Sequence, residues 1–297
     1  MGIRERLGEA LFLRVAGPDG PKHRSRIHGT PGPRWFPEGS PITVVHGDAS
    51  MFVGGIRAVL LQTLQPQAMT AVAEHSGYRG DMWGRLARTS RFLAVTTFGT
   101  ADDAQQAVDV VRAIHDRVNG AMPDGSSYDA NDPHLLEWVH VEEISSFLLA
   151  HREFGARPLD QAGYDEYVAQ SAFVARKLGV LDPPTTEAEL HACVERFRPE
   201  LRGIDHAREA VSYLIHEPEL PLVARPAYRV LVAAAIGMMP EWTREPLALP
   251  VLPVAHDRVS HSLGRIATRT VRWAIAGEGA HAAELRASVA SVSTVAG

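Results

Sequence analysis

An all-α fold is the class this sequence predicts, and three features predict it. Apolar residues recur at three- and four-residue spacing over most of the 297-residue chain. No convincing alternation of apolar and polar residues, and no Val/Ile run, marks a strand. Glycine, proline and small polar residues cluster between the periodic segments, where they end one helix and start the next.

The elements follow in order. After a short N-terminal helix, the stretch from about Gly17 to Pro41 is rich in Gly, Pro, Arg and His and holds little that can pack. It reads as an irregular arm, so residues 1–45 are set apart from a main helical domain over 46–297. From Gly47, the residues Met51, Ile56, Leu60 and Leu64 keep helical spacing until Pro66 interrupts. Pro66 then suits the first turn of a helix reaching about His75. A loop through Gly77, Gly80 and Asp81 precedes a helix from Trp83 to Phe98, closed by Gly99. Thr100 is a natural N-cap, with Asp102 and Asp103 favourably placed in the first turn, and that helix is expected to run to Asn119-Gly120. Pro123-Asp124-Gly125-Ser126 is turn chemistry. Asn131-Asp132-Pro133 opens a helix carrying Trp138, His140 and Phe147. Further helices are expected at Tyr164–Leu178, Glu187–Arg198, Ile204–Leu214, Ala227–Gly237 and Asp257–Ala276, with a proline-rich connection over Pro240–Pro253.

Composition excludes several classes of function. Hydrophobic residues make up 45% and charged ones 22%, ordinary values for a globule with a large core. The net charge of −5 comes from scattered residues, with no basic stripe for nucleic acid. A single cysteine, Cys193, permits no internal disulfide and no Cys-rich metal site, and fits a reducing cytoplasm. The longest apolar runs, such as Val230 to Met239, fall far short of the roughly 20 residues of a spanning helix. No integral membrane segment is expected. The sequence does not define an oligomeric state.

Chemistry concentrates in two helices. His115 lies among Val108, Val111, Ile114 and Val118 at helical spacings, so it borders an apolar face and needs a partner for its lone pair. A backbone carbonyl is one solution, and iron is another. Arg85, Arg88 and Thr89 place two guanidiniums and a hydroxyl within one turn. Such a group suits a carboxylate or phosphate, or is simply solvated or paired with Asp81. His140 follows Trp138, and its six-residue separation from His134 gives no His-x-x-x-His metal pair. Zinc-protease, nucleophile-elbow and P-loop motifs are all missing from the sequence.

One ordered series is more telling than its members. It runs His46-Gly47-Asp48, Gly54-Gly55, Leu60-Leu61-Gln62-x-Leu64-Gln65-Pro66, Ala73-Glu74-His75-Ser76, Trp83-Gly84-Arg85-Leu86-x-Arg88-Thr89 and Thr97-Phe98-Gly99. It closes with Arg112-x-x-His115-x-x-Val118-x-Gly120, Tyr128-x-Ala130-x-Asp132-Pro133 and Trp138-Val139-His140. This series resembles the MpaB-type oxygenase family, which shares its catalytic domain with the latex clearing protein, a rubber oxygenase. The resemblance implies a globin-like helical fold holding haem b and its iron without a covalent link. It implies His115 as proximal iron ligand and Arg85 and Thr89 as pocket residues; His140, from its own position in the sequence, either lines a pocket shared with His115 and holds the cofactor there or has a surface or capping role. Arg88 stands where the rubber oxygenase has lysine. A guanidinium stays protonated and is a poor iron ligand, so Arg88 is expected to hold a propionate or bound oxygen instead. The upstream glutamate of the rubber enzyme has no counterpart in the apolar stretch near Met69.

The expected function is a haem b oxygenase acting with dioxygen on a small apolar substrate, isoprenoid or lipid-like, with no nucleic-acid partner. The alternative is a helical haem- or lipid-binding protein without turnover.

Overall fold

The computed structural model describes residues 2–76, 81–216, 220, 222, 224–249 and 254–295. Among the described residues the regular structure is helical except for one small hairpin. The helices are α1 (Ile3–Ala16), α2 (Gly20–Gly29), α3 (Pro41–His46), α4 (Met51–Gln62), α5 (Pro66–His75), α6 (Met82–Phe98) and α7 (Ala101–His115). The hairpin strands β1 (Asn119–Ala121) and β2 (Ser127–Asp129) follow. The remaining helices are α8 (Pro133–Phe154), α9 (Gln161–Leu178), α10 (Glu187–Phe197), α11 (Asp205–His216), α12 (Arg225–Gly237), α13 (Glu241–Arg244) and α14 (Val254–Val295).

Local chemistry sets most of these boundaries. Asp81, Thr100, Asp132 and Asp160 each accept a hydrogen bond from a backbone N–H of the first turn that they cap. Gln65 does the same for Ala68, immediately before Pro66. Thr186 and Glu189 form a reciprocal capping box on α10. Gly179 ends α9 at φ +117°, a left-handed conformation that favours glycine.

The core is built around α8, the central helix. Trp138 and Val141 are fully buried, and Ile144, Phe147 and Leu148 nearly so. Around them pack Leu60, Leu61, Leu64, Met69, Tyr164, Tyr167 and Phe197. Each such side chain contributes roughly 1.5–3 kcal/mol of burial. Helix α4 lies closest against α8 because Gly54 permits it: a Cβ there would sit 2.9 Å from Phe147 Cδ1. Helix α14 runs along the outside, packed on α1, α2 and α12. Arg272 fastens it to the α3–α4 turn through Asp48 (Nη2 to Oδ1 2.9 Å) and the Phe154 carbonyl (2.8 Å).

Four expectations need correction. The arm over 17–41 is irregular only from about residue 30, because Gly20–Gly29 is helical, starts on Pro21 and buries Ile27. Helix α7 stops at His115, not Asn119-Gly120, and 119–121 pair antiparallel with 127–129. The strands are too short for periodicity to reveal. Tyr128 drives them: it is 2% exposed, its hydroxyl donates to Glu74, and His75 Nε2 lies 2.9 Å away. Part of the expected connection over Pro240–Pro253 is the short helix α13, after which Leu247 and Leu249 enter the core. Finally, α14 continues well past Ala276, through Gly277, because it lies against α1 and α2, where tertiary contact overrides a helix-weakening residue. The loop expected through Gly77 and Gly80 lies outside the described residues, as do Pro250 and Pro253.

Candidate functional site

Helix α7 turns Ala104 and Val108 fully inward, leaves Val111 half-buried, and carries His115 in its last turn on that same side. Ile114, expected beside it in the apolar face, is 55% exposed and faces outward. The His115 ring is half-buried. Burial holds its pKa below the usual 6.5, against the opposing pull of Asp116 and Asp129, so the imidazole is neutral at pH 7. Its Nδ1 is buried and has no hydrogen-bond partner.

The Arg-x-x-Arg-Thr segment is split by the fold. Arg85 turns inward from α6, and its Nη2 donates to Gln62 Oε1 at 2.9 Å. Burial lowers its pKa, Glu142 attracts it, and Arg88 repels it. Arg88 and Thr89 are exposed, with Arg88 Nη1 3.2 Å from Asp81 Oδ2. That ion pair is more than half exposed on both sides, so it holds Arg88 only weakly. Among the described residues, no hydrogen bond or ion pair links Arg85, Thr89, His115 and His140 to one another.

Behind Arg85 lies a polar cluster that sequence reasoning missed. Arg57, 6% exposed in the middle of α4, donates from Nη1 to Ser146 Oγ at 2.8 Å and from Nε to the Met238 carbonyl at 3.2 Å. Burial brings its pKa down to about 10, against the attraction of Glu142. Glu142 is 2% exposed, and its Oε2 has no partner. Burial and the neighbouring Glu143 raise its pKa well above the carboxylate range, although Arg57 and Arg85 pull it down. Two guanidiniums thus converge on one buried carboxyl, with Gln62 at the edge.

The next face of α8 carries His140 and Glu143. His140 is held neutral by burial, with its pKa down to about 3, and its Nε2 is buried without a partner. Glu143 is pushed up to about 7 by burial alone. Across from it, His46 Nδ1 meets Thr97 Oγ1 at 2.8 Å and His46 Nε2 meets Tyr167 Oη at 3.3 Å. His46, Arg85, His140 and Glu143 lie deep in the protein yet each keeps some accessible surface. These four side chains come from α3, α6 and α8, and Tyr167 of α9 joins them through His46. The signal for this cluster was present in the sequence as polar residues spaced along strongly apolar helices, but nothing in one helix reveals its partner on another.

Glu143 gives the first expected result. Its folded pKa is raised from 4.5 to about 7, so its protonated form favours folding. The associated stability is complete below pH 4.5 and is lost as pH rises through 7. Glu143→Gln keeps the shape and removes the titration. The variant is expected to match the native protein near pH 4.5 and to exceed it by about 3 kcal/mol at pH 8. Urea unfolding at the two pH values measures this, and equal gains at both would show that the carboxyl is solvated.

Among the described residues, no three His, Cys, Asp or Glu side chains converge as metal ligands, and none of the helices is long and apolar enough to cross a membrane. Residues 43–273 match a family model described as "ER-bound oxygenase mpaB/B'/Rubber oxygenase, catalytic domain". No curated protein and no solved structure matches the chain.

Proposed function

Because the chain belongs to the family of mpaB/B' oxygenases and rubber oxygenases, matching its catalytic domain over residues 43–273, we propose that it is a haem b oxygenase. It would use dioxygen on a small apolar substrate of isoprenoid or lipid-like character. The observation that carries the reading is His115, a neutral imidazole with a buried, unpartnered ring nitrogen inside the matched segment.

The residues present fit such a group. A porphyrin brings its own nitrogen ligands, so one imidazole from the protein would suffice. In this reading His115 would hold the iron through its ring nitrogen. Arg85 has N–H donors to spare beyond the one given to Gln62 and would donate to a propionate in this reading. Arg88, loosely paired with Asp81 at the surface, can turn to a second propionate, with the Thr89 hydroxyl beside it. His140 would offer its unpartnered Nε2 to the group, donating or accepting without carrying charge. When bound, haem supplies the activation of dioxygen, and the protein supplies its orientation, an apolar enclosure and the local charge.

The buried apolar side chains of α4 and α8 would favour a substrate with few hydrogen-bonding groups, with Arg85, His140 and Glu143 the polar exceptions beside them. The test is the absorption spectrum of the protein purified from haem-replete cells, followed by oxygen uptake with squalene as a probe alkene. Bound haem with substrate-dependent oxygen consumption is expected. Bound haem without consumption would favour the carrier reading, and absence of haem binding would overturn both.

A further inference from the structure

Helix α14 carries an apolar stripe that nothing covers. Leu263, Ile266 and Trp273 are 41%, 61% and 50% exposed. With Thr270 they fall at alternating three- and four-residue steps, and so share one face. Ile266, Arg269, Thr270 and Trp273 line a shallow groove along it. Isolated exposed apolar residues are ordinary; several aligned on one helix, with a tryptophan among them, are not.

The charges on the stripe's own stretch of helix are basic, and the neighbouring carboxylate of Glu153 is held by His261. Arg265 and Arg269 are exposed next to it, and the segment from Arg258 to Gly277 contains no Asp or Glu. Arg4 of α1 sits 5.6 Å from the centre of the Trp273 ring, and its Nε donates to the Trp273 carbonyl at 2.9 Å. Arg272 is not part of this set, because it points to the opposite side and is engaged by Asp48. Glu5, near Arg4 on α1, is turned to the Gly2 backbone N–H at 2.7 Å.

We propose that the outward face of α14 between Leu263 and Trp273 docks onto an anionic lipid bilayer. An apolar stripe with a tryptophan, flanked by arginines, is the chemistry of a helix lying in the headgroup region. The rings and branched chains enter the acyl boundary while the guanidiniums meet phosphates. A second copy of the chain is the competing occupant. Self-pairing would bring Arg265 and Arg269 against equivalent arginines, with no carboxylate in the segment to relieve them. The same face satisfies a lipid surface and opposes itself. Docking here would bring the catalytic domain to a store of apolar molecules, though the inference stands independently of haem.

The full-length protein is mixed with phosphatidylcholine vesicles, with and without phosphatidylglycerol, at low and high salt, and sedimented. Binding is expected only with phosphatidylglycerol, weakening as salt rises. Ile266→Asp, and separately Arg265→Gln with Arg269→Gln, should each weaken partitioning by about tenfold or more, with far-UV circular dichroism and Tm unchanged. Because these side chains are exposed, the variants should fold. Quenching of native tryptophan fluorescence by brominated lipid provides a second readout that needs no variant. Absence of binding to anionic vesicles, binding unchanged in both variants, or a dimer in light scattering that Ile266→Asp dissolves would each overturn the proposal.

Discussion

Replacing Arg57 with methionine is expected to lower folding stability by about 3–5 kcal/mol, a large part of the total for a domain. The side chain sits in the interior of α4, donating to Ser146 and to the Met238 carbonyl at the end of α12. Methionine fills similar volume, so the loss comes from polar groups left behind rather than from a cavity. The Met238 carbonyl and Ser146 hydroxyl each lose a donor, and Glu142 keeps only Arg85 as a counter-charge. The carboxyl can escape part of this by staying protonated, which its raised pKa already favours, and this limits the cost. Adding Glu142→Leu should recover only the part of the loss that comes from the stranded carboxyl, because the Met238 carbonyl and the Ser146 hydroxyl still lack the donor that Arg57 supplied. Urea unfolding of the two single variants and the double variant measures the coupling. A single-variant loss below about 1 kcal/mol would mean that water already solvates the pair.

How much of this was legible in the sequence follows from what kind of signal each feature carries. Helices α6 to α10 announce themselves locally: Asp81, Thr100, Asp132, Asp160 and Thr186 cap them, and each cap is a short-range interaction. The hairpin was not legible, because Tyr128 is held by Glu74 and His75 from α5, more than fifty residues away. For the same reason the length of α14 was not legible: what sustains it is packing against α1 and α2. At the site, His115 and Arg85 were visible as polar residues bordering apolar helix faces. The Arg57–Glu142 cluster was not, since it joins α4 to α8 across the core. The sequence also treated Arg85, Arg88 and Thr89 as one group, whereas Arg85 faces the core and the other two face solvent. A one-turn spacing says which residues are neighbours on a helix, but only the packing says which of them sits at the edge of the buried face.

His115→Ala is expected to abolish stable haem binding, removing the Soret band from protein expressed with excess haem. A single imidazole is the whole contribution of the chain to the axial bond in this reading, so its loss leaves only contacts to the porphyrin edge. A fall in haem affinity of about a hundredfold or more is the expected scale, from the loss of a direct ligand rather than a supporting contact. The interpretation depends on the variant remaining folded, and the structure gives reason to expect that it does. His115 occupies the last turn of α7, is only half-buried, and donates and accepts nothing through its buried Nδ1. Alanine at that position improves helix propensity and removes an unpaired polar atom, so the Tm should hold or rise. Added imidazole should then restore part of the Soret band by occupying the vacated position. His140→Ala provides the contrast: it removes a deeply placed imidazole that is not the ligand in this reading, and should weaken haem retention without eliminating the band. If His115→Ala bound haem as the native protein does while His140→Ala did not, the axial role would pass to the ring on α8. The oxygenase assignment would survive, but the arrangement of its pocket would have to be rebuilt around that helix.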